Sequence, residues 1–146
     1  ITETRFQAWY QLYLNVQERS FAFSTYALEY EFFKGMMALE GAIMIEVNTI
    51  SDDQLVGFIF AKSSDTLCDA ILVGMDYNHK GNNLYHYLLM TMIEKVKSLG
   101  FKKLGMGITA DREKKALGCI ETNSYIFSCK PDTFEDEVVE YISKTN

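Results

Sequence analysis

The chain has 146 residues, is 48% apolar and carries a net charge of −6. That length suits one domain with a real core. The acidic balance argues against a general nucleic-acid binder, which carries a basic surface. No apolar run approaches the ~20 residues of a membrane-spanning helix, and no membrane partner is expected.

Residues 4–20 place Phe6, Trp9, Tyr10, Tyr13 and Val16 on one helical face, with Thr2 or Thr4 as the cap and Glu3 at the favourable end of the dipole. Ser24 and Thr25 offer a second cap. Tyr26, Tyr30, Phe33 and Met37 then repeat at helical spacing until Gly41. Both aromatic stripes read as core. Residues 42–47 and 55–61 read as a hairpin across the turn 50–53, and residues 66–75 as the next strand, giving an antiparallel meander. Gly57 and Gly74 fall inside strands, where a glycine marks a bulge or a close approach of another chain segment.

A polar loop, 76–83, leads into an amphipathic helix over 84–99. Its buried face is Tyr85, Leu88, Leu89, Met92, Val96 and Leu99, and Asn82 or Asn83 caps it. A strand over 102–108 follows, then a short helix over 110–117. Strands joined through a helix lie parallel. The loop and the helix N-terminus together bring free N–H groups and a positive dipole end to one spot, which suits a phosphate. Residues 123–130 read as a further strand halted by Pro131, and Phe134, Val138, Tyr141 and Ile142 as a last helix. The expected fold is therefore α/β (α+β): an antiparallel meander, then a parallel strand pair joined by a crossover helix. We expect one domain over 1–146. Ile1, which is not Met, is expected to be a cut edge, making the chain a fragment or C-terminal domain of a longer protein.

Lysines and arginine gather in the second half, at Lys95, Lys97, Lys102, Lys103, Arg112, Lys114 and Lys115, while Glu135, Asp136, Glu137 and Glu140 crowd the end. Cys68, Cys119 and Cys129 form no disulfide framework, so reduced thiols in a cytoplasmic setting are expected. His79 and His86 have no second ligand at metal spacing, so no metal is expected.

Four stretches resemble the GNAT superfamily of acyl-CoA N-acyltransferases, closest in wording to its FemAB-like, peptidoglycan-biosynthesis branch. They are Gly74-Met75-Asp76-Tyr77, Leu84-Tyr85-His86-Tyr87-Leu88-Leu89, Lys102-Lys103-Leu104-Gly105-Met106-Gly107 and Lys115-Ala116-Leu117-Gly118. The resemblance covers nearly the whole chain, without the family's usual first strand. It implies that acetyl-CoA or another acyl-CoA is the co-substrate, held where the two parallel strands splay. The family's phosphate loop falls on Asn78, His79, Lys80, Gly81, Asn82 and Asn83. Gly81 matches, Asn78 stands for the usual Gln or Arg, and Asn83 for the small final residue. Lys80 keeps a cation there. Backbone N–H groups from Leu72 through Val73 and Gly74 to Met75 would polarise the thioester, while Lys114 and Lys115 would serve the ribose phosphate.

If Gly118 is the family's closing glycine, Gly107 and Lys114 stand where many members carry an Asn and a Tyr acid. The tyrosine acid is thus absent; Thr109 and Tyr125 are the neighbours considered, and spacing alone does not place them. Asp69 or Glu46 is the candidate base, each with the alternative of an outward-facing strand carboxylate. Asp76 and Tyr77 either position substrate or shape the turn. Cys119 has no histidine paired with it in sequence.

The expected function is acyl transfer to a small-molecule or peptide amine, with a homodimer as a possible assembly. Two rivals stand beside it. A non-catalytic GNAT-like binding or assembly domain fits the altered loop and the missing tyrosine. A FemAB-like transfer of aminoacyl groups from charged tRNA fits the closest branch but not the acidic charge.

Overall fold

The computed structural model describes residues 1–19, 27–79, 83–107 and 110–123. Within them lie α1 (Glu3–Arg19), α2 (Tyr30–Met37), β1 (Ala42–Asn48), β2 (Leu55–Ser63), β3 (Leu67–Met75), α3 (Leu84–Ser98), β4 (Lys103–Gly105) and α4 (Asp111–Ala116). The expected strand over 123–130, the last helix, and Thr109, Tyr125 and Cys129 fall outside the described residues.

The strands form one sheet in the order β1-β2-β3-β4. β1, β2 and β3 pair antiparallel, and β3 and β4 parallel. This is the mixed α/β meander-plus-parallel-pair architecture that the sequence predicts.

β2 explains the layering. Side chains alternate across a strand. Phe58 and Phe60 point into a cluster with Phe6, Trp9, Leu12 and Tyr13 of α1 and Phe33 and Met37 of α2. Ile59 and Ala61 point the other way, into Cys68, Met75, Leu88, Leu89, Met92 and Val96. The sheet is thus sandwiched between α1 and α2 on one face and α3 on the other. A strand covered on both faces needs a continuous apolar run, and residues 55–61 supply one.

The helix starts divide. The Thr2 hydroxyl accepts the Arg5 N–H at 3.3 Å, the cap expected for α1. α2 begins at Tyr30 behind Glu29, which makes no side-chain cap; Ser24 and Thr25 lie outside the described residues. Asn83 likewise makes no side-chain cap on α3. Leu99 is 49% exposed and sits past the helix, not in its buried face. The Tyr30 hydroxyl and the Lys34 ammonium both donate to the Glu3 carboxylate, fastening α2 to the first turn of α1.

Two strand features differ in detail from expectation. β4 pairs only over Lys103–Gly105, where the sequence predicts a strand to residue 108. β3 carries a bulge: Phe60 pairs with Leu72 and Ala61 with Ala70, leaving Ile71 as the extra residue. Among the described residues no helix is long and apolar enough to cross a membrane.

Candidate functional site

The parallel pair opens into a fork. Leu67, Cys68 and Asp69 pair with Lys103, Leu104 and Gly105, and the ladder ends there. β3 runs on to Met75. Beyond Asp69 its edge toward β4 has no strand partner among the described residues. Bulges both end pairing and re-aim the chain, and Ile71, 49% exposed, lies on this edge just past the vertex. On the other arm Gly107 takes the left-handed conformation (φ +68°), which turns the chain out of the ladder at little cost because it lacks Cβ.

Asp69 stands at the vertex. A Cβ on Gly105 would fall 2.1 Å from Asp69 Oδ1. Glycine at 105 is what lets the carboxylate lie across the partner strand. Asp69 is exposed.

Glu46 lies elsewhere. It belongs to β1, with β2 between it and β3, so it does not border the fork, where a base would have to stand. Arg5 Nε and Nη2 donate to its two oxygens at 2.6 and 2.5 Å, and Trp9 Nε1 adds a bond of 2.5 Å. The Arg5 guanidinium, with help from Trp9, holds its carboxyl below the ordinary range. Phe58 aligns Glu46 with Gly74, while Asp69 aligns with Lys62. At ~3.3 Å per residue and ~4.8 Å per strand the two carboxylates stand roughly 16 Å apart. They form no pair, and Glu46 is an anchor for α1.

The far end of β3 is fixed by α1. Asn15 Nδ2 donates to the Met75 carbonyl at 3.2 Å. The Arg19 guanidinium stacks over the Tyr77 ring, 4.1 Å from its centroid. Asp76 Oδ1 accepts the Asn78 N–H at 2.9 Å, and Oδ2 lies 3.2 Å from His79 Nδ1. The Asn78 amide is the main cause that keeps the Asp76 carboxyl low. Burial pushes the Tyr77 phenol up. Asp76 thus builds the turn that starts the loop, and Tyr77 is packed beneath Arg19. Lys80, Gly81 and Asn82 lie outside the described residues; Asn83 opens α3, its carbonyl accepting the Tyr87 N–H at 2.8 Å.

Gly74 and Met75 are buried at that end and Val73 half-buried, packed against the α3 cluster. The glycine answers a packing need: a Cβ there would meet Phe58 Cε1 at 2.1 Å and the Leu12 backbone carbon at 2.9 Å.

The two lysines of α4 part company. Lys115 is exposed and paired with Glu121 at 2.6 Å. Lys114 is 6% exposed, so it does not offer the open surface cation expected beside Lys115. Its ammonium donates to the Gly107 carbonyl at 3.2 Å, and burial lowers its pKa. Sequence reasoning also missed Asn15 and Arg19. Both extend the α1 stripe by polar residues one turn apart, a spacing that marks a face continuing past the core.

No family profile and no curated protein matches the chain. Solved structures do share its fold. A possible acetyltransferase from Clostridium difficile superposes with a TM-score of 0.69 at 10% identity, over 90% of this chain and 95% of that one. A ribosomal-protein-alanine N-acetyltransferase from Brucella melitensis gives 0.61 at 12%, over 88% and 96%. An aminoglycoside N-acetyltransferase in complex with CoA gives 0.61 at 12%, over 89% and 91%. The fold is the one these acetyltransferases share.

Proposed function

We propose that the fork between β3 and residues 105–107 receives an acyl-CoA, and that the chain transfers its acyl group to an amine. The observation that carries this reading is the parallel ladder that stops at Asp69 and Gly105 while β3 continues to Met75, bulged, paired with β2 on one edge and without a strand partner among the described residues on the other. A free strand edge accepts an extended, amide-bearing chain through main-chain hydrogen bonds, and the arm of CoA is such a chain. The fold shared with acetyltransferases, one of them bound to CoA, supports the same reading.

The residues divide the work as follows. Free N–H groups of the bulged edge polarise the acyl carbonyl, as preorganised donors do for a developing oxyanion. Asp69, exposed at the vertex, takes the proton from the attacking amine. A C–N bond forms as the C–S bond breaks, and the departing thiolate takes a proton from water. The loop 78–83, with Lys80 and the α3 N-terminus, receives the diphosphate, and Lys115 the ribose phosphate. CoA itself supplies the activated thioester.

The narrower, FemAB-like assignment rests on the sequence stretches alone. A non-catalytic binding domain is the second reading. It is favoured by Lys114, buried and bonded where the resemblance places a tyrosine acid. Titration of acetyl-CoA by calorimetry, followed by thiol release with a panel of primary amines, separates the cases. Binding with turnover is the expected result. Binding without turnover on any amine leaves a binding domain, and no binding at millimolar acetyl-CoA refutes the acyl-CoA reading and leaves the non-catalytic binding or assembly domain.

A further inference from the structure

Among the described residues Lys114 is the one buried charged side chain. Burying an ammonium is costly unless its partners repay it, and a Met or Leu would fill the same space without that cost. Among the described residues its one hydrogen-bond partner is a backbone oxygen, that of Gly107. A residue so placed needs a reason beyond packing.

The reason lies in where Gly107 stands. It is the second residue past the last rung of the β3–β4 ladder. A Cβ built on it would lie 3.8 Å from the Ala70 carbonyl, so the arm is still beside β3 at this point, near enough to rejoin it. Two features prevent that. Gly107 has φ +68°, which no strand residue adopts. Its carbonyl is already bound by an ammonium on α4.

α4 in turn is bent back over this arm. Ala110, just before it, has φ +59°, a conformation uncommon for a residue with a Cβ. The Lys114 N–H bonds the Ala110 carbonyl at 3.2 Å and the Lys114 carbonyl accepts the Cys119 N–H at 3.1 Å. Lys114 is therefore tied by its backbone at both ends of α4 and by its side chain to the arm.

We propose that Lys114 is a positioning residue: its bond to the Gly107 carbonyl holds Met106 and Gly107 out of the β3 ladder beyond its last rung at Gly105 and keeps the β3 edge free for the CoA arm. The inference rests on the acyl-CoA reading of the slot. The strut itself can be judged without it.

The test is Lys114→Met, which keeps the stem and removes the donors. Three quantities are measured on wild type and variant at a temperature where circular dichroism shows both folded. They are acetyl-CoA affinity by calorimetry, amide shifts of Gly105, Met106 and Gly107, and hydrogen-exchange protection along Ala70, Ile71 and Leu72. A charge-assisted bond of this kind should alter affinity roughly tenfold. The expected result is that loss of affinity, shifted arm amides and increased protection of the β3 edge as the arm settles onto it. Lys114→Gln, which retains a shorter donor, should recover part of the affinity and takes the place of the Met variant if that one does not fold. Equal affinity in wild type and variant overturns the proposal. So does weaker binding with unchanged protection of the β3 edge, which would make Lys114 a direct ligand contact. If wild type itself binds no acetyl-CoA, the functional reading falls. The strut then stands or falls on the exchange data, and unchanged protection refutes it.

Discussion

Gly74→Ala tests how α1 is seated on the sheet. The added Cβ would lie 2.1 Å from Phe58 Cε1, 2.7 Å from Cδ1 and 2.9 Å from the Leu12 backbone carbon. Phe58 cannot swing aside. It is fully buried, with Trp9 and Phe33 ring centroids 6.5 and 6.2 Å away. Leu12 can move only if the helix moves. Overpacking of this kind costs about 3 kcal/mol, and for a chain of this size that lowers Tm by roughly 10 °C. Gly57→Ala is the control. Its nearest neighbours are the side-chain tips of Leu84 and Leu88 at 3.3 Å, which can yield, so its cost should stay below about 1 kcal/mol. Urea unfolding of both variants gives the comparison. Pairing Gly74→Ala with Phe58→Leu should remove part of the penalty, since the two changes share one space. A Gly74→Ala protein within about 0.5 kcal/mol of wild type, or one fully additive with Phe58→Leu, would refute the account.

Glu46→Gln should cost about 1–2 kcal/mol at pH 7, because the Arg5 and Trp9 donors lose a charged, partly exposed partner. Glu46 titrates lower when folded than when unfolded, so its contribution is complete above the unfolded pKa and is lost as pH falls through the folded one. Urea midpoints of wild type and variant should therefore differ at pH 7 and converge as the pH falls below the ordinary glutamate range and through the lowered folded pKa. Cys68 is fully buried and its thiol is pushed up by burial, whereas Cys119 is half-exposed. Ellman's reagent should reach Cys68 only on unfolding, and fast native labelling of Cys68 would contradict its place in the α3 cluster. Lys115→Glu should weaken CoA severalfold at low salt, less at high salt, and should spare desphospho-CoA. Equal effects on both ligands would mark Lys115 as the surface partner of Glu121 alone.

Periodicity reached the fold because most elements are amphipathic in a way their partners require. Phe58 and Phe60 alternate with Ile59 and Ala61 since β2 is covered on both sides, and the α1 stripe is apolar since it lies on that strand. The fork was harder to read. Residues 102–108 alternate as a strand should, but pairing stops at Gly105, because the conformation of Gly107 and the reach of Lys114 depend on the returning α4. Glu46 and Asp69 looked equivalent in sequence, two carboxylates in strands. Register separates them: one meets Arg5 across the sheet, the other crosses a glycine. A lysine in a charged hexamer gives no local sign of burial, which only the packing of α4 confers.

The bond between Asn15 and the Met75 carbonyl spans 60 positions of chain. α1 is made first, yet the surface it rests on is not complete until β3 has joined the meander. Its apolar stripe of Phe6, Trp9, Leu12 and Tyr13 can meet α2 and β2 earlier, but Asn15 has no Met75 carbonyl to bond until then. Long-range contacts of this kind form late, after the entropy of closing the intervening loop has been met. On the ribosome α1 thus emerges before the strands it rests on and waits for them. A chaperone that binds short aromatic segments would meet this domain at α1, and would be displaced when Met75 and Asp76 fold into place.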